Sequence, residues 1–129
     1  MSFDWSEYLT VAQDLTAGRP PSASEEARSR AAVSRAYYAV FCRARDYLTA
    51  CNELSFKRQD EPNLHAVVAE RFKYSVDGRR RDVGTRLALM RAARNRCDYE
   101  SEVRDVTKLR DEALAHARHA FAKLDALQR

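Results

Sequence analysis

Between Ser24 and Cys51 the apolar residues leave the chain few ways to fold. Val33, Tyr37, Val40, Ala44, Tyr47 and Cys51 follow one another at steps of four and three, which makes one helical stripe. Ser34, Phe41 and Leu48 widen it on one side, and Tyr38 marks its margin. At ~100° per residue the arc covers about half the circumference, more than a surface helix with one neighbour requires. A helix of this kind lies centrally and touches several partners. Its aromatics, at ~1.5–3 kcal/mol each when buried, would dominate the core. Their hydroxyls would then need partners or water. Ser22 or Ser24 can cap the start, Glu25 and Glu26 suit the positive end of the helix dipole, and the pattern runs to about Ala50.

The remaining segments carry the same period. Trp5, Tyr8, Leu9, Ala12 and Leu15 stand at helical spacing, and Gly18, Arg19, Pro20 and Pro21 stop that helix. The polar stretch from Cys51 to Asn63, with Pro62, is a connection. A third helix begins near Asn63 and carries Leu64, Val67, Val68 and Phe72. A fourth runs from about Arg79 through Val83, Leu87 and Met90 towards Arg94, with Gly84 weakening its first turn. A fifth, from about Glu102 to Leu127, carries Val106, Ala113, Ala117, Ala120, Phe121, Leu124 and Leu127. No segment reads as a strand or a repeat. The spacing predicts an all-α, up-and-down bundle of about five helices with short antiparallel connections, forming one domain over residues 1–129.

Composition narrows the class. A chain of 129 residues supports one core. Three glycines and three prolines disfavour a turn-rich β-sandwich. No apolar run approaches the ~18 residues that would span a bilayer, so no membrane contact is expected. The acidic, amphipathic start does not read as a signal peptide. Three cysteines without CxxC spacing fit neither a disulfide framework nor a zinc site. A reducing, cytoplasmic setting follows, with no metal and no cofactor expected. Cys51 and Cys97 border apolar stripes, and Cys42 points more outward. The net charge of +4 permits an anionic partner without demanding one. Its distribution says more: from Arg79 to Arg96 arginine recurs with one acid, Asp82, between.

Some residues break the pattern. With Leu87 at the centre of the fourth helix's inward face, Arg94 falls about 20° to one side and Asp98 about 20° to the other. Both then point into the bundle, at the spacing where an ion pair forms. A buried arginine needs such a partner, and a tyrosine hydroxyl from the second helix could join it. Arg91 lies on the same side, and Arg110 falls on the apolar meridian of the last helix. Together these arginines could form a basic cluster suited to phosphate, since guanidinium presents a planar donor fork. His65 opens the third helix, where capping or packing fits better than catalysis. His116 and His119 lie towards the exposed flank of the last helix and lack the spacing of a metal pair.

Three blocks in order resemble a known family. Ser34-Arg35-Ala36-Tyr37-Tyr38-Ala39-Val40-Phe41 on the second helix, His65 at the start of the third, and Arg94-Asn95-Arg96-Cys97-Asp98-Tyr99 at the end of the fourth resemble the HEPN domain (higher eukaryotes and prokaryotes nucleotide-binding). Cys97 stands where that family usually has a small alanine. The likeness covers essentially the whole chain. It implies a four- or five-helix bundle, usually dimeric, that often works beside a minimal nucleotidyltransferase in a toxin–antitoxin or defence pair. It also implies binding of nucleotide or RNA phosphate, for which Arg91, Arg94, Arg96 and Arg110 are the candidate residues. Ser34, Arg35, Tyr37, Tyr38, Phe41 and His65 would be its structural motif.

Many members of that family are metal-independent ribonucleases with an Arg-x(4–6)-His motif. Here Tyr99 stands in the place of the histidine. A tyrosine, with an ordinary pKa near 10, is a poor base at neutral pH. Arg94, Asp98 and Tyr99 are therefore the candidate catalytic residues of an atypical site, unless a histidine from elsewhere replaces the missing base. Arg58 to His65 and Arg110 to His116 match the bare spacing. The first spans a connection, and the second places its members about 120° apart on one helix. A non-catalytic dimerisation or partner-binding module is the remaining reading.

Overall fold

Among the described residues, five α-helices follow in chain order: α1 (Ser6–Thr16), α2 (Glu25–Ala50), α3 (Leu64–Lys73), α4 (Gly78–Tyr99) and α5 (Val106–Leu127). The structure is a computed structural model, and it describes residues 3–17, 23–55 and 63–128. The predicted Gly18–Pro21 stop, the Ser22 cap, Arg58 and Pro62 lie outside those residues. The all-α bundle is as the periodicity predicts.

The helix ends have local causes. Ser24 caps α2 by accepting a hydrogen bond from the Ala27 N–H at 3.1 Å. Asp77 caps α4 the same way, accepting from the Arg79 N–H at 2.8 Å. α5 starts four residues later than its apolar pattern suggests, because Asp105 adopts a left-handed conformation (φ 47°) that a helix cannot continue through. At the other end of α4, Arg30 of α2 donates to the carbonyls of Cys97, Glu100 and Ser101. One guanidinium thereby satisfies backbone acceptors that a helix end leaves open.

α2 is central and contacts all four other helices. Its predicted stripe is buried from Val33 to Leu48, with Tyr38 half-buried at the margin. Tyr37, Leu48, Phe72, Met90 and Leu124 are among the largest fully buried side chains. The cysteines divide differently from the sequence reading: Cys42 and Cys97 are buried and Cys51 is exposed. Cys51 lies past the end of α2, at its C-cap.

Helix direction follows from which ends meet. Trp5 at the start of α1 hydrogen-bonds Asp46 late in α2, and Arg28 early in α2 reaches the Leu15 carbonyl, so these helices are antiparallel. Arg80 early in α4 pairs with Glu53 beyond the end of α2, and Ser34 meets Asp98, so α2 and α4 are antiparallel too. The α2-to-α3 step departs from this alternation. Tyr37 meets His65 and, two to three turns on, Tyr47 meets Phe72, so α2 and α3 run the same way. The first turn of α3 therefore lies beside the middle of α2. Where α3 ends, α4 passes so close that a Cβ on Gly84 would lie 2.6 Å from the Lys73 backbone nitrogen. Gly84 is thus a packing requirement between α3 and α4 rather than a weak first turn.

Candidate functional site

The last turns of α4, the middle of α2 and the first turn of α3 meet at one rim of the bundle. Arg94 is the hub. Its Nη2 donates to the Tyr38 hydroxyl at 2.6 Å, and its Nη1 donates to Asn95 Oδ1 at 3.1 Å. Its Nε lies 2.9 Å from Asp98 Oδ2, an ion pair at the i, i+4 spacing. That N–H is not aligned on the carboxylate oxygen, so Nε is buried with no hydrogen-bond acceptor of its own. The Arg94 guanidinium also sits over two rings, 5.1 Å from the Tyr38 centroid and 5.6 Å from that of Tyr99. The expected Arg94–Asp98 pair and the tyrosine partner from α2 are both present.

The depth of the pair differs from the expectation. The Arg94 side chain is 16% exposed and that of Asp98 27%. The pair lies at the rim, because Asp98 is one residue from the end of α4. Ser34 Oγ donates to Asp98 at 3.3 Å, so the first and last blocks of the sequence motif are in direct contact. Tyr99 is 74% exposed, with one face towards Arg94.

His65 joins this cluster. Its ring stacks on Phe41 with centroids 4.1 Å apart and on Tyr37 at 5.6 Å, and it meets Tyr38 edge-on. Its Nδ1 is 2.5 Å from the Tyr37 hydroxyl. Burial raises the Tyr37 phenol far above its ordinary range, so it keeps its proton. The phenol donates to Nδ1 when the imidazole proton is on Nε2, and accepts from Nδ1 when the proton is there. Burial lowers the His65 pKa, and the Arg91 and Arg94 guanidiniums lower it further. Packing was expected of His65. Its place beside two arginines was not, because it follows from the parallel packing of α3 against α2 and not from either helix alone.

The four candidate phosphate-binding arginines do not all meet. Arg91 lies one turn before Arg94 on α4, and the charges of both act on His65 and Tyr37. Arg110 does not: it donates to Ser29 Oγ at 3.1 Å and pairs with its neighbour Asp111, on the α2 surface that receives α5. Arg96 points the other way from Arg94, about 200° around α4. There it lies 4.0 Å from Glu100 and borders a groove with Leu109 and Glu112 of α5. The single basic cluster expected from these four residues is therefore two residues, Arg91 and Arg94, extended by a third that the sequence reading treated as structural. Arg35 lies over the rings of Tyr8 at 5.2 Å and Tyr38 at 5.7 Å.

His116 is also not on an exposed flank. It is half-buried and its Nδ1 receives a hydrogen bond from Arg86 at 3.0 Å, while Arg86 pairs with Asp82. Burial and the Arg86 charge lower its pKa. Among the described residues no three His, Cys, Asp or Glu side chains gather as a metal site, and no helix is long and apolar enough to cross a membrane.

The cluster can hold an anion by charge and hydrogen bonds, and it sets a neutral imidazole beside the cations. Comparison with known proteins adds no name: no family model, no curated protein and no solved structure matches the chain.

Proposed function

We propose that this is a HEPN-type protein that binds nucleotide or RNA phosphate at the rim formed by Arg91, Arg94, Tyr38 and His65. The observation that carries the reading is a charge imbalance. Among the described residues Arg91 has no hydrogen bond or ion pair, and Asp98 alone pairs with Arg94. Holding two guanidiniums beside one carboxylate in a half-buried setting is unfavourable unless an anion completes the set. A phosphate suits the planar donor forks of two neighbouring guanidiniums. Support for the family reading comes from the convergence of its three sequence blocks, through Ser34–Asp98, Tyr38–Arg94 and Tyr37–His65 contacts.

The test is binding of AMP and of a labelled single-stranded RNA at low and moderate salt. Arg94→Gln should weaken both by about tenfold or more, as expected when charge-assisted hydrogen bonds are lost. Unchanged affinity in a folded Arg94→Gln protein would defeat the reading.

A second reading is favoured by His65. In it the protein is a metal-independent ribonuclease whose imidazole comes from α3 in place of the missing histidine at position 99. With its proton on Nδ1, donated to Tyr37, the neutral ring leaves Nε2 free to act as the general base near pH 7. Incubation of labelled RNA with EDTA present decides it: cleavage lost in His65→Gln supports it, and intact RNA with the wild type removes it. A homodimer, a cytoplasmic setting and a minimal nucleotidyltransferase partner belong to the same family reading. Co-expression with the product of the adjacent gene, followed by sedimentation, tests the partner and the dimer together.

A further inference from the structure

We propose that Arg35 is a second phosphate-binding guanidinium, so that the site takes a ligand carrying two covalently linked phosphates. The inference rests on the phosphate reading above and extends it across α2 to α1.

Arg35 precedes Tyr38 by three residues, so the two side chains are neighbours on the surface of α2. The Tyr38 ring thus has Arg35 of α2 at 5.7 Å and Arg94 of α4 at 5.1 Å. Tyr8 of α1 flanks Arg35 on its far side at 5.2 Å, and Phe3 and Trp5 pack edge-on against Tyr8. Tyrosine and arginine therefore alternate from Tyr8 through Arg35, Tyr38 and Arg94 to Tyr99.

Ring contacts engage the flat face of a guanidinium and leave its edge, where the N–H donors lie. Among the described residues Arg35 has no hydrogen bond and no ion pair, so nothing there occupies that edge. Two cations share one ring, and among the described residues the carboxylate paired with either is that of Asp98. Their mutual repulsion falls when one anion spans both. A single phosphate group fills one fork. Two linked phosphates offer one to each, whether as a nucleoside polyphosphate or as consecutive phosphodiesters of single-stranded RNA. The open face of Tyr99 at the end of the row can receive a base.

The experiment compares AMP, ADP and a short single-stranded oligoribonucleotide by calorimetry, using wild type, Arg35→Gln and Arg94→Gln. Wild type should bind ADP or the oligoribonucleotide at least about tenfold more tightly than AMP. Arg35→Gln should erase that preference by weakening ADP and the oligoribonucleotide towards AMP, whereas Arg94→Gln should weaken all three. The salt slope for the oligoribonucleotide should fall by about 0.7 in Arg35→Gln, one phosphate contact's worth for a single strand. A tighter oligoribonucleotide than ADP identifies phosphodiesters as the source, and the reverse order a polyphosphate; either agrees with the proposal. AMP affinity equal to that of both ADP and the oligoribonucleotide in wild type, or a preference retained by Arg35→Gln, would overturn it while leaving the phosphate site intact. No binding of any of the three overturns both. Should Arg35→Gln lose its fold, Arg35→Lys keeps charge and packing without the planar fork. A reduced preference in that variant supports the proposal, and a preference equal to wild type's overturns it.

Discussion

Arg94 of α4 and Tyr38 of α2 are joined twice, by a 2.6 Å hydrogen bond from Nη2 to the phenol oxygen and by the guanidinium lying 5.1 Å from the ring centroid. The contact fixes the fork of Arg94 at the rim and ties the end of α4 to the central helix. Replacing Tyr38 by Phe keeps the ring and removes the acceptor. The expected cost is about 1.5–3 kcal/mol, the range for hydrogen bonds to charged groups. Urea unfolding measures it, and AMP affinity should fall alongside.

Gly84 sets a different kind of limit. Alanine has the better helix propensity by about 1 kcal/mol. Its Cβ, however, would meet the Lys73 nitrogen at 2.6 Å and the Lys73 Cα at 2.9 Å, both backbone atoms that cannot swing away. The clash wins, and Gly84→Ala should lose about 1–3 kcal/mol. Gly78→Ala is the control: its Cβ meets only the flexible end of Arg81 at 3.3 Å, and stability should hold or rise slightly.

Acid should destabilise the bundle before its carboxylates titrate. His65 and His116 both have pKa values below the ordinary one, first by burial and then by neighbouring arginines. The unfolded chain therefore takes up these protons more readily than the folded one. Their contribution is complete above about pH 6.5 and is lost as pH falls from there through the lowered values. Denaturation midpoints between pH 7.5 and about 5 should decline, and His65→Gln should flatten the slope.

The Ser24 cap offers the simplest local test. Ser24→Ala removes the acceptor for the Ala27 N–H and should cost about 1 kcal/mol. A thermal melt followed by circular dichroism is sufficient.

Much of this was legible in the sequence, and what was not has physical reasons. The face of α2 was readable because a stripe from Val33 to Leu48 is set by helical period alone. The Arg94–Asp98 pair was readable because both residues belong to one helix. His65 was not, since its neighbours depend on which part of α2 the first turn of α3 packs against. Gly84 looked like a helix defect because the reason for it is a different helix. Arg110 and Cys51 misled for a related reason: phase gives direction around a helix but not what stands opposite.

Phosphate bound by Arg91 and Arg94 would lie beside His65, and NMR titration of the histidine rings with and without AMP reads its arrival. A bound phosphate would offset the two guanidinium charges that lower the His65 pKa, so that value should rise. His116, which answers to Arg86, should stay where it is and serve as the internal reference. A His65 pKa that does not move, or that moves only in step with His116, would contradict phosphate binding there.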